Sequence, residues 1–326
     1  MKKVLMLLII FVSDALADND FRYEDKIRIS EAVKIVDHCK EVWTGWNIIN
    51  IAILLVTDDN EYLVNHILPT PDFKFIYFDT ILASNIYKRP RVFGKNLLAT
   101  FPAVNGVSTI VIGTPENTNK NSREWVLILI HEHFHQLQFE SENYLSGVDS
   151  LDLAGDDKTG MWMLNYKFPY DDQVISDQYK KLILAAKTAV LYLNTVSFNY
   201  LFEKYLSERK MFRSLLKDND YKYFSFQIWQ EGIAKYTEIK VSECIQHDYQ
   251  HSEAFTNLKD VDLSDSFYSN IFPLQLRRAD EQDLSSDKRN CFYTLGSLEG
   301  LLADAVNPQW KNQYFSEMFF IEKYYK

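Results

Sequence analysis

The chain has 326 residues, and 47% of them are hydrophobic, which is enough apolar material for a large buried core. This composition excludes a disordered or low-complexity protein. The 45 acidic residues outnumber the 35 basic ones and give a formal net charge of −10. Because nucleic-acid binding depends first on clustered Lys and Arg, we expect no nucleic-acid partner.

The first residues have the features of a secretory signal peptide. Two lysines follow the initiating methionine, an apolar run covers 4–12, and Ala15-Leu16-Ala17 has the small-x-small pattern that signal peptidase accepts. We predict a cleaved signal peptide over 1–17, cut after Ala17, and a secreted or periplasmic protein. The alternative is an uncleaved N-terminal anchor. No later stretch is long and apolar enough to span a bilayer, so we expect no transmembrane segment in the mature chain.

Short strand-like runs come first along the mature chain, and helical segments follow. A helical spacing of apolar residues covers 27–42, and β-branched and aromatic runs at 51–56, 73–78 and 107–112 predict strands. Later segments without Pro and with little or no Gly predict helices. These helical segments are 122–142, about 174–217, 221–242 and 291–305.

This order of elements predicts an α+β protein. We expect an N-terminal α/β subdomain with a small sheet over 18–120, followed by a mainly α-helical part over 121–326. No Pro/Ser-rich linker marks an independent second domain. The two parts should therefore form one compact unit.

The three cysteines, Cys39, Cys244 and Cys291, are too widely spaced for a zinc or redox motif. Export permits a disulfide, and three cysteines allow at most one intrachain bridge. The sequence does not choose among the three pairings. A buried free thiol is therefore the default expectation at each position.

The chemistry is concentrated in the pentapeptide His131-Glu132-His133-Phe134-His135, an instance of H-E-x-x-H. Residues i and i+4 share a helix face, so His131 and His135 can both bind one Zn²⁺. Glu132 lies next to that face, where it can act as general base toward a water bound to the metal. His133 points away and is expected to support the site from behind or to pack.

The helix that carries this motif is expected to be buried on all sides, because residues 125–130 are entirely apolar. Histidines and a glutamate in such a helix must be paired or bound to something, since unpaired buried polar groups are costly. The alternative to a metal site is a set of core histidines that are satisfied by backbone carbonyls.

A catalytic zinc site needs a third protein ligand. The local extension H-E-x-x-H-x-x-G-x-x-H is not followed, because Gln138 and Ser141 stand at its Gly and His positions. Further on, the segment 229–238 contains Glu231-Gly232-Ile233-Ala234. With the pentapeptide, this segment resembles the glutamate-zincin (gluzincin) metallopeptidases, whose third ligand is the glutamate of an E-G-x-A-type segment on a second helix.

The resemblance implies a zincin-like fold and one Zn²⁺ per chain, bound by His131, His135 and Glu231. Small residues beside the third ligand, Gly232 and Ala234, are expected to let its helix approach the histidine helix closely. The residues between the two motifs, 143–220, would form a long helical insertion over or beside the cleft.

Residues around the two motifs receive further expectations. Glu238 should be an ordinary solvated side chain, and Tyr236 should pack. The resemblance suggests that the strand 107–112 is an edge strand that binds an extended peptide by β-augmentation. An oxyanion needs a donor besides the metal, and Tyr293 at the start of the last long helix is the candidate.

Two rival ligand sets remain open. Asp149, Asp156 and Asp157 fall where an aspartate-type zincin would place its third ligand, although such a loop also reads as a solvated turn. His247 and His251 are again spaced i and i+4. Nothing apolar precedes them, so we expect an exposed polar segment there, with a secondary metal contact as the alternative.

We therefore expect an exported zinc metallohydrolase, most simply a peptidase that acts on a peptide or protein substrate. His131, His135 and Glu231 would bind the zinc, and Glu132 would activate the attacking water. One alternative is a catalytically inactive zinc-bound binding protein. Another is a hydrolase of a non-peptide amide.

Overall fold

A computed structural model describes residues 21–261 and 266–325. The expected signal peptide, 1–17, lies outside the described residues. Among the helices that are described, none has both the length and the apolar content needed to cross a bilayer.

The strands form one six-stranded mixed sheet in the order β3-β4-β2-β1-β6-β5. Their bounds are β1 (Ile53–Val56), β2 (Asn60–Val64), β3 (Lys74–Asp79), β4 (Ser84–Pro90), β5 (Leu98–Val104) and β6 (Val107–Gly113). β1 and β6 are parallel, whereas the other neighbouring pairs are antiparallel. All four residues of β1 are buried, as expected of a central strand covered on both faces.

The sequence predicts β1, β3 and β6 but not β2, β4 and β5. β4 and β5 each contain a proline; β4 mixes buried, half-buried and exposed residues and β5 is mostly half-buried, so neither has the continuous apolar run that marks a covered strand. The expectation that β6 is an edge strand is wrong, because β5 pairs with its outer side. The hairpin turn between them is Asn105-Gly106, and both residues have positive φ, as a type I′ turn requires.

Most of the remaining described chain is helical. The helices are α1 (Tyr23–His38), α2 (Pro115–Thr118), α3 (Ser122–Phe139), α4 (Tyr144–Ser150), α5 (Trp162–Asn165), α6 (Gln173–Leu191), α7 (Phe198–Leu215), α8 (Asp218–Gln227), α9 (Ile233–Asp248), α10 (Glu253–Thr256), α11 (Ser266–Ser269), α12 (Ile271–Glu281), α13 (Leu284–Asp287), α14 (Asn290–Val306) and α15 (Lys311–Tyr314). A π-helical turn, Ile228–Gly232, joins α8 to α9. The long segments predicted at 174–217 and 221–242 are each divided in two.

The helix that carries the H-E-x-x-H motif, α3, lies between the sheet and the helical part. It packs on β5 and β6 and also on α1 and α9, while α14 packs on α9 and on the π-helical turn. Asn121 and Glu124 form a capping box that sets where α3 begins. The main hydrophobic core extends from Phe21 to Tyr324, so the α/β and helical parts share it.

Cys39 and Cys244 form a disulfide that connects the end of α1 to α9, with their Cα atoms 6.0 Å apart. Cys291 is a buried free thiol. The expectation of free thiols is therefore confirmed at Cys291 and wrong at the other two positions, because folding brings two residues far apart in sequence together. A disulfide is typical of proteins in oxidising compartments, which is consistent with an extracellular location.

Candidate metal centre

Three side chains converge between α3 and the π-helical turn. The Nε2 atoms of His131 and His135 are 3.2 Å apart, and Oε2 of Glu231 lies 3.6 and 3.5 Å from them, respectively. A tetrahedral ion with ligand distances of about 2.0–2.1 Å needs ligand atoms about 3.3 Å apart. The three atoms, which we call the histidine cluster, therefore have the spacing of a metal site. Within 21–261 and 266–325, no other group of this kind occurs.

Glu238 fixes the orientation of His131. Its Oε1 lies 2.7 Å from Nδ1 of His131 and accepts a hydrogen bond of 2.6 Å from Nζ of Lys235. Because a carboxylate only accepts, Nδ1 must carry the proton, which leaves the Nε2 lone pair for a metal. The expectation that Glu238 is solvated is wrong: it is 5% exposed, since its helix face packs on α3.

Gln138 orients His135 in the same way. Its Nε2 donates to the carbonyl oxygen of Gln230 at 3.0 Å and to the hydroxyl of Tyr314 at 2.8 Å. The amide is therefore oriented with Oε1 toward Nδ1 of His135, at 2.6 Å. The amide nitrogen of Gln230 also lies 3.2 Å from this Nδ1, but the Gln138 oxygen is closer. That oxygen accepts the Nδ1 proton, and the Nε2 lone pair of His135 is directed at the histidine cluster.

The histidine cluster is suited to binding a cation. Two imidazole lone pairs and a carboxylate oxygen face one another in a largely buried space, where acceptors without a donor are costly. Burial lowers the pKa of His131, but Glu231 and Glu238 outweigh it and raise the pKa to about 9. The pKa of Glu231 is correspondingly held well below its usual range by the two histidines, against the effect of burial. The surroundings thus favour positive charge, and the donor set fits a metal ion.

Glu132 lies next to the cluster and contacts the edge strand. It is 6% exposed, and its Oε2 accepts a hydrogen bond of 2.8 Å from the hydroxyl of Thr100 on β5. The same hydroxyl lies 2.9 Å from the backbone oxygen of Glu132. No sequence signal marks Thr100, because its role depends on β5 pairing with β6. The edge of the sheet thus reaches the candidate general base.

Tyr293 lies on the other side of Glu231. Burial and the carboxylates of Glu231 and Glu132 raise the pKa of Tyr293 well above its usual value, and its hydroxyl is within hydrogen-bonding reach of Glu231. Nη1 of Arg289 donates a hydrogen bond to the same hydroxyl. Tyr293 is partly exposed as a residue.

The glycine beside Glu231 permits a close approach, but the partner differs from the expected one. A Cβ on Gly232 would lie 2.5 Å from Cα of Gly296, so these two glycines bring the π-helical turn against α14. The expectation of contact with the histidine helix is therefore wrong for Gly232. Because Tyr293 lies one turn before Gly296, the approach explains how Tyr293 reaches Glu231. Glu231 itself lies in the π-helical turn, a conformation frequent at functional sites.

The other candidate residues lie apart from this centre. Asp156 is exposed and Asp157 accepts hydrogen bonds from the residues that follow it, as expected of a solvated turn, whereas Asp149 is exposed but lies in α4. His247 is exposed, but His251 is only 12% exposed and lies 2.8 Å from Glu31, which corrects the expectation of a wholly exposed segment. None of these residues belongs to a metal-type group within the described chain.

The two remaining residues near the motifs behave as expected. His133 is buried, with Nε2 2.9 Å from the backbone oxygen of Trp46 and Nδ1 2.9 Å from Gln136. Tyr236 packs on Gly300 and donates to Asp304 at 2.8 Å. Comparisons with models of protein families, with curated proteins and with solved structures found no match for this chain.

Proposed function

We propose that this chain is an exported zinc-dependent hydrolase of gluzincin type that cleaves peptide bonds. One observation carries the proposal: two oriented Nε2 atoms and one carboxylate oxygen converge within 3.2–3.6 Å, next to a glutamate that is not needed to hold the ion. A two-histidine, one-glutamate ligand set is typical of catalytic zinc. Imidazole with one hard oxygen also suits zinc better than magnesium or calcium.

A bound zinc ion would supply Lewis acidity and lower the pKa of a water toward 7. The protein's own residues divide the proton transfers and the charge stabilisation. Thr100 holds Oε2 of Glu132, and Oε1 of Glu132 is the atom that takes a proton from water and returns it to the leaving nitrogen. The Tyr293 hydroxyl donates a hydrogen bond to the oxygen on which negative charge develops.

The edge strand β5 favours an extended substrate. Its outer side has no strand partner in the described sheet, and its Thr100 contacts Glu132. A peptide that pairs with β5 would add a seventh strand and place its backbone carbonyls beside the general base. The disulfide Cys39–Cys244 fits the exported location implied by the signal-like N-terminus.

The test is the variant Glu132→Gln in the mature full-length chain, assayed on a peptide pool with the zinc content measured in parallel. We expect unchanged zinc and hydrolysis reduced by about 10²–10⁴-fold, the usual contribution of a general base. Glu140→Gln, at the exposed end of the same helix, is the matched control and should retain activity. Full activity in Glu132→Gln would contradict the mechanism. Zinc bound without peptide hydrolysis in the wild type would favour a binding protein or a non-peptide amidase.

A further inference from the structure

A second feature adjoins the metal centre and is not explained by it. A cavity of about 600 Å³ is lined by two segments, 164–170 from the insertion and 286–290 before α14. Arg289 belongs to this lining and also donates a hydrogen bond to Tyr293. Tyr293 interacts electrostatically with Glu231, so its side chain links the cavity to a proposed zinc ligand.

The cavity is positively charged in an acidic protein. Its lining contains three cations, Lys167, Lys288 and Arg289, and one carboxylate, Asp287. That carboxylate accepts a hydrogen bond of 2.9 Å from the backbone of Asp283, so it is directed into its own turn. The chain as a whole has a net charge of −10, which makes a local excess of cations a specific feature of this surface.

Arg289 differs in its partners from three arginines that pair with buried carboxylates. Arg28 pairs with Asp25, Arg89 with Glu61 and Arg209 with Glu299. Arg289 is partly buried, yet among the described residues no carboxylate lies within ion-pair distance of it, and its hydrogen bond goes to a neutral hydroxyl. A guanidinium has five donors in a planar fork that matches a carboxylate, so most of its capacity is unused.

The backbone beside Arg289 is strained. Lys288 has φ 51° and ψ −130°, a conformation that residues with a side chain rarely adopt and that costs about 1–3 kcal/mol. Such strain persists where the surrounding structure over-determines it, and it is concentrated at ligand-binding sites. Here it accompanies the turn that places Lys288 and Arg289 on the same cavity.

We propose that Arg289, with Lys167 and Lys288 at the rim, forms a subsite that binds a carboxylate of the substrate beside the metal centre. This inference rests on the proposed hydrolase function, because it assigns the substrate group that lies next to the cleaved bond. The carboxylate has two sources, the free C-terminus of a short peptide and the side chain of an acidic residue. The aromatic residues Tyr166 and Tyr170 in the same lining would cover the apolar part of the chain.

The test measures binding by calorimetry to the zinc-loaded, full-length mature Glu132→Gln protein, which removes turnover from the measurement. The probes are N-acetylated tetra-alanine as the free acid and as the C-terminal amide. A second pair of amides, Ala-Ala-Glu-Ala and Ala-Ala-Gln-Ala, reports on an acidic side chain. We expect one carboxylate-bearing probe to bind about ten- to a hundredfold more tightly than its neutral partner, as for a charge-assisted hydrogen bond.

Variants assign this preference to the cavity. Adding Arg289→Gln should abolish the preference, and Arg289→Lys should restore part of it. Arg213→Gln, at a surface arginine paired with Asp218, is the control and should leave the preference intact. The double variant Lys167→Gln/Lys288→Gln, at exposed rim positions that do not touch Tyr293, should weaken the preference about two- to fivefold and is informative even if Arg289→Gln folds poorly.

Equal binding of each pair, or no binding of any probe, would overturn the subsite. A preference that survives both Arg289→Gln and the double lysine variant would overturn it as well. The proposed function fails separately: an Arg289-dependent preference in a protein whose wild type cleaves no peptide would leave the subsite standing and contradict the peptidase. Peptide cleavage by a protein that shows no carboxylate preference would support the peptidase and contradict the subsite.

Discussion

Two buried polar clusters in this protein differ in whether they are complete by themselves. In the first, which we call the arginine cluster, Arg209 makes hydrogen bonds of 3.0 and 3.3 Å to Glu299 and one of 2.7 Å to Tyr221. Tyr205 donates to the same carboxylate at 2.6 Å. Arg209 also pairs with Glu322 at 3.2 Å, so the cation of this cluster has carboxylate partners within the chain.

The histidine cluster is arranged in the opposite way. The protons on Nδ1 of its two imidazoles are directed outward to Glu238 and Gln138, and the acceptor atoms are directed inward toward Glu231. Glu231 contributes a negative charge that a cation between the three atoms would balance. A buried polar cluster that is closed serves the fold, whereas one whose acceptors converge serves a ligand, and substitutions in the two should have different consequences.

The largest effect on stability is expected in the arginine cluster. Arg209→Met leaves Glu299 buried without its cation and should lower the free energy of unfolding by about 3–5 kcal/mol. Chemical denaturation of wild type and variant measures this, with zinc content as the second readout. We expect stability to fall and zinc binding by the folded fraction to persist. A neutral effect on stability would show that the two clusters do not differ as described.

The next largest effect is a loss of zinc affinity, expected at Glu238, which orients His131 in the histidine cluster. Glu238→Gln keeps an acceptor for Nδ1 of His131 but removes the charge, and zinc affinity should fall about 10–100-fold. The control is Glu243→Gln on the same helix, an exposed side chain paired with Lys240. Zinc affinities come from competition with a chromogenic chelator. Equal affinities in the two variants would show that Glu238 does not act on the metal ligand.

A smaller effect is expected at a third buried cluster, whose contribution to stability responds to pH. Glu31 is fully buried and accepts hydrogen bonds from Tyr249 and Ser252 and the Nδ1 contact of His251. Burial raises its pKa, but these partners outweigh it and hold the pKa below its usual 4.5. The stabilisation is therefore present above about pH 4.5 and is lost as the pH falls through the lower, folded-state value.

Glu31→Gln should reduce stability by about 1–2 kcal/mol at neutral pH. It should also flatten the acid limb of the stability curve, because the group that takes up the proton is gone. Denaturant titrations between pH 3 and 7 measure both. An acid limb of the same slope in the variant would mean that Glu31 does not contribute to it.

The smallest effect on stability is expected at an exposed ion pair whose hydrogen bonds have good geometry. Arg22 contacts both carboxylate oxygens of Glu116 at 2.9 and 2.8 Å, yet the side chains are 37% and 59% exposed. Glu116→Gln should therefore change stability by no more than about 1 kcal/mol, and less at high salt. A loss as large as that of Arg209→Met would show that burial is not what separates the clusters.

Much of the secondary structure around the site could be predicted from local sequence patterns. The apolar runs of β1, β3 and β6 and the uninterrupted segments of α3 and α14 are strong signals, and the H-E-x-x-H spacing places two histidines on one face of α3. β5 could have been found as well, because Asn105-Gly106 is a hairpin signal next to β6. Because β5 is mostly half-buried and contains Pro102, its sequence does not have a strand pattern. Without β5, β6 is wrongly predicted to be the edge of the sheet.

The residues that support the site likewise divide into those with a signal in the sequence and those without one. Gln138 lies seven residues after His131, and Glu238 seven after Glu231, so helical spacing puts each on the same face as a proposed metal ligand of its own segment. The sequence therefore contains a signal for both Gln138 and Glu238. Thr100 and Arg289 had none, because they reach the site through strand pairing and through the contact of Gly232 with Gly296. The Cys39–Cys244 pairing likewise depends on tertiary contacts alone.

The central claim is that the histidine cluster holds a metal ion with Glu231 as third ligand. Elemental mass spectrometry of the purified mature protein, beside Glu231→Ala, tests it most directly. We predict about one zinc per wild-type chain and loss or strong weakening of binding in the variant, with the fold retained. A folded wild type without affinity for zinc, or a variant that keeps its full zinc affinity, would contradict the account.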